Sequence, residues 1–251
     1  MQKQSAGLTD VGRRRVVNED AFFIEDELGL YIVADGMGGH AAGEVASKEA
    51  VDTVHGMVKR GYDCVDKLMA GDDSPETFRA VMRLLEAAAQ AATYMVFAIA
   101  QNDPEQKGMG TTLSILLLTN RFGFTAQVGD SRVYLIRDGY STQLTEDHTL
   151  VAWQVKQGII TEEEAAVSPH KNVITRAVGS RDYVQVDTHM FEIREGDNYL
   201  VCSDGLHGYL EDEEIPTVVD LGPRIAARKF IEMANERGGR DNITAIIIEL
   251  T

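Results

Sequence analysis

Ile32-Val33-Ala34-Asp35-Gly36-Met37-Gly38-Gly39-His40 joins an apolar run to an acid, a glycine-rich turn and a histidine. A carboxylate at a strand end, beside backbone stripped of side chains, is well placed to hold a metal ion near a substrate. Gly36 leaves its carbonyl open, and Gly38 and Gly39 permit backbone angles that other residues avoid. Upstream, Ala21–Ile24 and Leu30–Ala34 read as a hairpin turning through Asp26–Gly29. Downstream, Ala41–Lys59 reads as a helix with Val45, Val51, Val54 and Val58 largely on one face.

The same alternation of strands and helices runs along the chain. Ser74 and Pro75 are a cap and a first helical residue. The apolar spacing from Phe78 through Met82, Leu85, Met95 and Ile99 then predicts a helix to Asn102. Thr111–Thr119, Phe122–Val128 and Arg132–Ile136 are rich in β-branched and aromatic residues and read as a three-strand meander. Asp138-Gly139 reads as a plain hairpin turn. A short helix is expected over Asp147–Gly158. A longer one is expected over Pro223–Arg237, with Ile225, Ala226, Phe230 and Met233 on one face. Ile243–Leu250 is a final buried strand. Strict strand–helix–strand alternation is absent, so the expected class is layered α+β, with packed sheets and helices outside.

Composition narrows the function. The chain has 251 residues, 44% hydrophobic and 25% charged, ordinary for one large globular domain. A net charge of -16 argues against a nucleic-acid partner, because phosphate backbones select basic surfaces. No apolar run reaches the roughly 20 residues of a bilayer-spanning helix. The first residues lack a signal-peptide layout, so no membrane association and a cytoplasmic location are expected. Cys64 and Cys202 form no CxxC pair, which disfavours zinc-finger and thioredoxin chemistry.

Several acids share the position of Asp35 at a strand boundary. Asp20 opens a strand, Asp130 follows Phe122–Val128, Asp204 follows Asn198–Ser203, and Asp241 precedes the last strand. Sheet packing can bring such ends together, and clustered carboxylates must protonate or find cations. An all-oxygen set without cysteine suits Mg²⁺ or Mn²⁺. Arg15, just before Asn18-Glu19-Asp20, can fork onto two phosphate oxygens. Acids, hard cations and an arginine together suggest phosphate-ester hydrolysis.

At this level the chain resembles the metal-dependent serine/threonine protein phosphatases (PPM, or type 2C), bacterial short form. The matching pieces are Thr9–Gly12 with Arg15, Asn18–Asp20, Ala34–His40, Gly110–Thr112, Gly129–Arg132, Cys202–Gly205 and Gly239–Asn242, in family order and almost end to end. The resemblance implies one domain over 1–251, a four-layer αββα sandwich, with a mobile flap at 148–179. It implies two Mn²⁺ or Mg²⁺ ions and a third, weaker one. Asp35 would bridge the two ions and the Gly36 carbonyl would bind one of them. Asp204 and Asp241 would bind the other. Asp20 and Glu19 would act mainly through waters, and Asp130 would serve the third ion. Arg15 matches the phosphate-binding arginine.

Animal members carry a histidine directly after Asp-Gly, and here that residue is Met37. His40 or a metal-bound water is then the candidate proton donor, with His148, His170 and His207 as further candidates that read as surface or flap residues. The implied substrates are phosphoserine and phosphothreonine proteins, with a serine/threonine kinase as counterpart. Two alternatives are a phosphoprotein-binding pseudophosphatase and a phosphatase dedicated to one regulator, such as an anti-anti-sigma factor.

Overall fold

A computed structural model describes residues 1–38 and 42–251. In chain order the elements are β1 (Lys3–Asp10), β2 (Asp20–Glu25), β3 (Leu30–Met37), α1 (Ala42–Arg60), α2 (Asp63–Met69), α3 (Pro75–Asn102), β4 (Gly110–Thr111), β5 (Leu113–Leu118), β6 (Phe122–Val128), β7 (Arg132–Arg137) and β8 (Tyr140–Gln143). There follow α4 (Leu150–Lys156), α5 (Glu162–Ala166), β9 (Asp187–Glu192), β10 (Asn198–Cys202), α6 (Asp204–His207), α7 (Glu214–Val219), α8 (Pro223–Glu236) and β11 (Ile243–Leu250). One antiparallel sheet runs β1-β11-β10-β7-β8. The other runs β2-β3-β5-β6-β9, with β4 beside β3.

The two sheets stack face to face with helices outside, the four-layer arrangement expected. Alternation along each strand explains the layers. On β11, Ile243, Ala245 and Ile247 pack under α8 with Phe230 and Ala234, while Ile246, Ile248 and Leu250 face the other sheet. On β3, Leu30, Ile32 and Ala34 pack under α1 and α3, while Tyr31 and Val33 face β10 and β11. Both faces of these strands are covered, so they read as continuous apolar runs.

α3 starts where its cap directs. Ser74 Oγ accepts from the Thr77 N–H, with Pro75 at the first position. α1 buries Ala46, Ala50, Val54 and Val58, one small-residue face that lets it lie close against α3 and the sheet.

Three expectations need correction. The meander is not one: β6 is already paired on both edges, by β5 and β9, so β7 crosses to the other sheet and pairs with β10 and β8. Gly129-Asp130-Ser131 is therefore a crossing between layers and not a hairpin turn. Ile225 and Met95 point outward and are exposed, because the faces of α8 and α3 that meet the sheets are narrower than the apolar stripes drawn from sequence. α2 was not foreseen, being short and lacking a side-chain cap.

Ile246 is fully buried in the layer between the sheets, and Ile225 is largely exposed. Ile246→Ala should cost about 2–5 kcal/mol of stability, whereas Ile225→Ala should fall within about 0.5 kcal/mol of the parent. Urea denaturation midpoints of the two variants check this.

Candidate active site

The alternation that builds the apolar layer also builds the site. Residues facing the opposite sheet are Phe22 and Ile24 on β2, Tyr31 and Val33 on β3, Val133 on β7, Val201 on β10 and Ile246 on β11. Continuing each series by two residues reaches Asp20, Asp35, Ser131, Ser203 and Thr244. At one rim of the sandwich the inter-sheet layer thus turns from apolar to polar.

Asp20 and Asp35 stand directly opposite one another in the β2–β3 register, a placement that is destabilising for like charges. Asp20 is buried. Its Oδ2 accepts from Ser203 Oγ at 2.8 Å and from Thr244 Oγ1 at 2.6 Å, both on the other sheet. Its Oδ1 is buried without a partner, and so is Asp204 Oδ1. Burial pushes the Asp20 carboxyl up to about 7, the two hydroxyl bonds opposing and Asp204 adding. Burial also raises Asp35 well above the usual carboxylate range, helped by the charges of Asp20, Asp204, Asp130 and Asp241. Asp204, at the start of α6, is raised by burial and by Asp241.

The backbone around Asp35 is fixed. Its N–H donates to Thr112 Oγ1 at 2.9 Å, and its carbonyl accepts from Thr111 Oγ1 and from the Thr112 N–H, each at 2.9 Å. Gly36 has no room for a side chain: a Cβ there would lie 2.1 Å from the Gly43 carbonyl of α1. The glycine thus allows α1 to start against the strand that carries Asp35.

Arg15 and Asp241 meet across the site. Arg15 Nη2 donates to Asp241 Oδ2 at 2.8 Å, and Nη1 lies 3.6 Å from Glu19 Oε2. Arg13 and Arg14 are exposed. Asn242 holds this corner together. Its Oδ1 accepts from the Glu19 N–H at 2.8 Å, and its Nδ2 donates to the Val11 and Val17 carbonyls, each at 3.0 Å.

Asp130 is buried, and burial with the nearby Asp204 pushes it up to about 7. Two histidines read as bland bracket its turn. His148 is buried; its Nδ1 accepts from the Gly129 N–H at 3.1 Å, and its own N–H donates to the Gly129 carbonyl at 2.9 Å. His207 Nε2 lies 2.9 Å from the Asp130 carbonyl, and its enclosed ring is held neutral by burial and by Arg132. His170 is exposed, as expected. His40 lies outside the described residues. Cys202 is buried and its thiol is pushed up to about 12 by burial, which fits packing and not nucleophilic chemistry.

A groove of about 1070 Å³ opens from Asp130, Asp204 and Asp241. Val151 and Val155 of α4 and Ala165 of α5 form its far wall, so 148–179 faces the acids across the groove.

Ser203, Thr244, Thr112, Ser131, Asn242 and the two bracketing histidines received no role in the sequence reading. All but Thr244 and the histidines lie inside the motifs quoted above, beside the acids they support.

The donor set fits hard divalent cations: oxygens only, from residues at the strand ends of both sheets, two of them buried without a hydrogen-bond partner. Among the described residues no group of three His, Cys, Asp or Glu side chains is drawn tightly enough together to hold an ion as it stands. That spacing accords with uncompensated carboxylates that repel one another.

Residues 12–245 match the sequence model of a family described as protein phosphatase 2C. The chain belongs to the protein phosphatase 2C family. This phosphatase-2C chain is 38% identical over 248 residues to the serine/threonine protein phosphatase PstP of Mycobacterium tuberculosis, covering 98% of the chain and 44% of that protein. It therefore spans under half the length of that relative. It is 36% identical over 246 residues to the serine/threonine phosphatase stp of Listeria innocua, covering 96% of the chain and 93% of that protein. Its fold superposes with a TM-score of 0.83, at 35% identity, on the catalytic domain of PstP in complex with two manganese ions, covering 99% of the chain and 98% of that structure.

The raised acids give the metal-free protein a distinctive pH dependence. Unfolded aspartates ionise near 4, while Asp20 and Asp130 ionise at about 7 in the folded chain. Between those values the folded state binds more protons, so these groups stabilise it fully below pH 4 and progressively less up to about pH 7. In chelator, the urea midpoint should fall from pH 5 to pH 7.5, and Asp20→Asn should flatten that fall. A midpoint rising across the same range contradicts the clustering.

Proposed function

We propose that this chain is a protein serine/threonine phosphatase that hydrolyses phosphoserine and phosphothreonine with Mn²⁺ or Mg²⁺. The observation that carries the reading is five aspartates from two sheets converging on one rim beside Arg15 and a groove. Its family and relatives support it. When bound, the cations supply Lewis acidity and a water of lowered pKa.

The chain's own residues would do the rest. Asp35 and the Gly36 carbonyl, with Asp204 and Asp241, would hold two ions. Asp130 would hold a third, weaker one, with Asp20 and Glu19 supporting the set through waters. Ser203 and Thr244 aim Asp20 by donating to a single oxygen, and they oppose the effect of burial on its ionisation. Arg15 carries further N–H donors besides the one on Asp241, and these grip the phosphoryl oxygens and stabilise charge as it develops. His40 gives a proton to the departing seryl oxygen. Residues 148–179 form a flap over the phosphopeptide, and the whole of 1–251 is one catalytic domain. The two free cysteines fit a reducing cytoplasm. Substrates of this chemistry require a kinase that makes them.

Asp204→Asn or Asp241→Asn should reduce Mn²⁺-dependent hydrolysis of a phosphoserine peptide by orders of magnitude while leaving the fold intact. Calorimetry should show weakened Mn²⁺ binding. Arg15→Ala should chiefly raise KM, at about 2–5 kcal/mol of lost contact, and Arg15→Lys should restore part of it. Wild-type protein that binds phosphopeptide and Mn²⁺ without turnover would instead indicate a pseudophosphatase. Turnover confined to one regulator, such as an anti-anti-sigma factor, would indicate a dedicated enzyme.

Leaving-group dependence tests His40. A general acid matters for a serine alkoxide and little for p-nitrophenolate. His40→Ala should therefore damage phosphoserine peptide hydrolysis far more than p-nitrophenyl phosphate hydrolysis. Equal losses on both substrates would remove the proton-donor role.

A further inference from the structure

Residues 148–179 leave and rejoin the body of the protein at two places, and each adjoins an acid of the site. At the exit, Val178 exchanges two backbone hydrogen bonds with Thr111, at 2.9 and 3.0 Å. Thr111 in turn donates to the Asp35 carbonyl. At the entrance, His148 exchanges two bonds with Gly129, one residue before Asp130.

The neck between these ends is zipped. Thr149 bridges Ile174, the Leu150 N–H donates to the Val173 carbonyl at 2.8 Å, and Thr175 donates to the His148 carbonyl through its N–H at 2.7 Å and its hydroxyl at 3.0 Å. The His148 ring is anchored at its far side as well. With Nδ1 an acceptor, Nε2 carries the proton and donates to Asp187 Oδ2 at 3.1 Å; Arg176 Nη1, which donates to Asp187 Oδ1 at 2.7 Å, also lies 3.0 Å from Nε2. A movement of the neck therefore reaches His148 directly.

The Gly129 turn has little freedom to absorb that movement. Gly129 sits at φ +98°, packed against Thr112. Ser131 Oγ is bonded to Thr112 Oγ1 at 2.7 Å, and His207, from the helix that starts with Asp204, meets the Asp130 carbonyl. One side of the turn is thus tied to the fixed body and the other to residues 148–179 through His148.

We propose that His148 is a positioning residue that couples residues 148–179 to Asp130, so that a phosphopeptide held under that segment and a divalent cation held at Asp130 stabilise each other. The proposal rests on the phosphatase reading above. Coupling of this kind is reciprocal: whatever the peptide adds to cation affinity, the cation adds to peptide affinity.

Three substitutions separate the two sides of the ring. In His148→Asn the Oδ1 takes the place of Nδ1 and still accepts from Gly129, while the contact to Asp187 is lost. In His148→Gln the amide reaches Asp187, while the acceptor for Gly129 is lost. His148→Ala loses both. Mn²⁺ binding to the full chain is measured by calorimetry, with and without a non-hydrolysable phosphonate analogue of a phosphoserine peptide. Amide exchange is followed at 129–131 and 149–175.

In the wild type the analogue should tighten the weakest class of Mn²⁺ site. His148→Ala and His148→Gln should weaken that class about 10–100-fold, as loss of an outer-shell partner does. They should also abolish the effect of the analogue, leave the tighter sites unchanged and speed exchange in both segments together. His148→Asn should retain most of the wild-type behaviour. Wild-type binding in His148→Gln, or His148→Asn as damaged as His148→Ala, overturns the proposal. Failure of the phosphatase reading shows separately, as wild-type protein without Mn²⁺-dependent phosphopeptide turnover. The amide exchange of the Asn and Gln variants still decides whether His148 links the two segments.

Discussion

Two carboxylates placed face to face at the rim of a buried layer are the constraint around which the rest of this site is arranged. The β2–β3 register sets Asp20 opposite Asp35, and neither can be moved without slipping the strand pairing, which would turn every side chain of the strand to the other face. Their repulsion must be answered locally. Ser203 and Thr244 answer part of it by donating to Asp20 from the other sheet, and Arg15 answers part by binding Asp241. Two carboxylate oxygens remain buried without a partner, and that remainder makes a cation site of this rim.

Rigid surroundings serve the same end. The Asp35 backbone is held by two threonines, the Asp130 turn by two neutral histidines, and the Arg15 corner by the Asn242 amide. A ligand set whose backbone is held by such supports has little freedom to rearrange. It keeps its oxygens available at the cost of native stability near neutral pH. Sites tuned by such outer contacts depend on them nearly as much as on the ligands themselves.

The sequence was most legible where one local rule decides the outcome. Ser74-Pro75 opens α3 by capping, Asp138-Gly139 turns β7 into β8, and the isoleucine-rich run of β11 announced a buried strand. It was least legible where the outcome depends on a competitor elsewhere in the chain. Phe122–Val128 and Arg132–Arg137 look like hairpin partners, and they separate because Asp187–Glu192 occupies the free edge of β6. Ile225 and Met95 carry helical periodicity, yet they lie off the faces of α8 and α3 that are covered. The histidines show the same limit: nothing local distinguishes buried His148, which holds the Gly129 turn, from exposed His170.

By itself the sequence determined which residues could carry chemistry: acids at strand boundaries, an arginine ahead of them, no cysteine among them, and an order of motifs that named the family. Alternation by two put Asp20 and Asp35, and likewise Ser203 and Thr244, on one face of each strand, without saying which face that is. Only the tertiary structure decided that these faces meet at the same rim, since that depends on how two sheets stack and on which edge each strand finds. It alone decided that Arg15 reaches Asp241 from 226 residues away, and that residues 148–179 are tied to the turns of Asp35 and Asp130. Contacts of that kind join points distant in the chain, and no local pattern of residues encodes them.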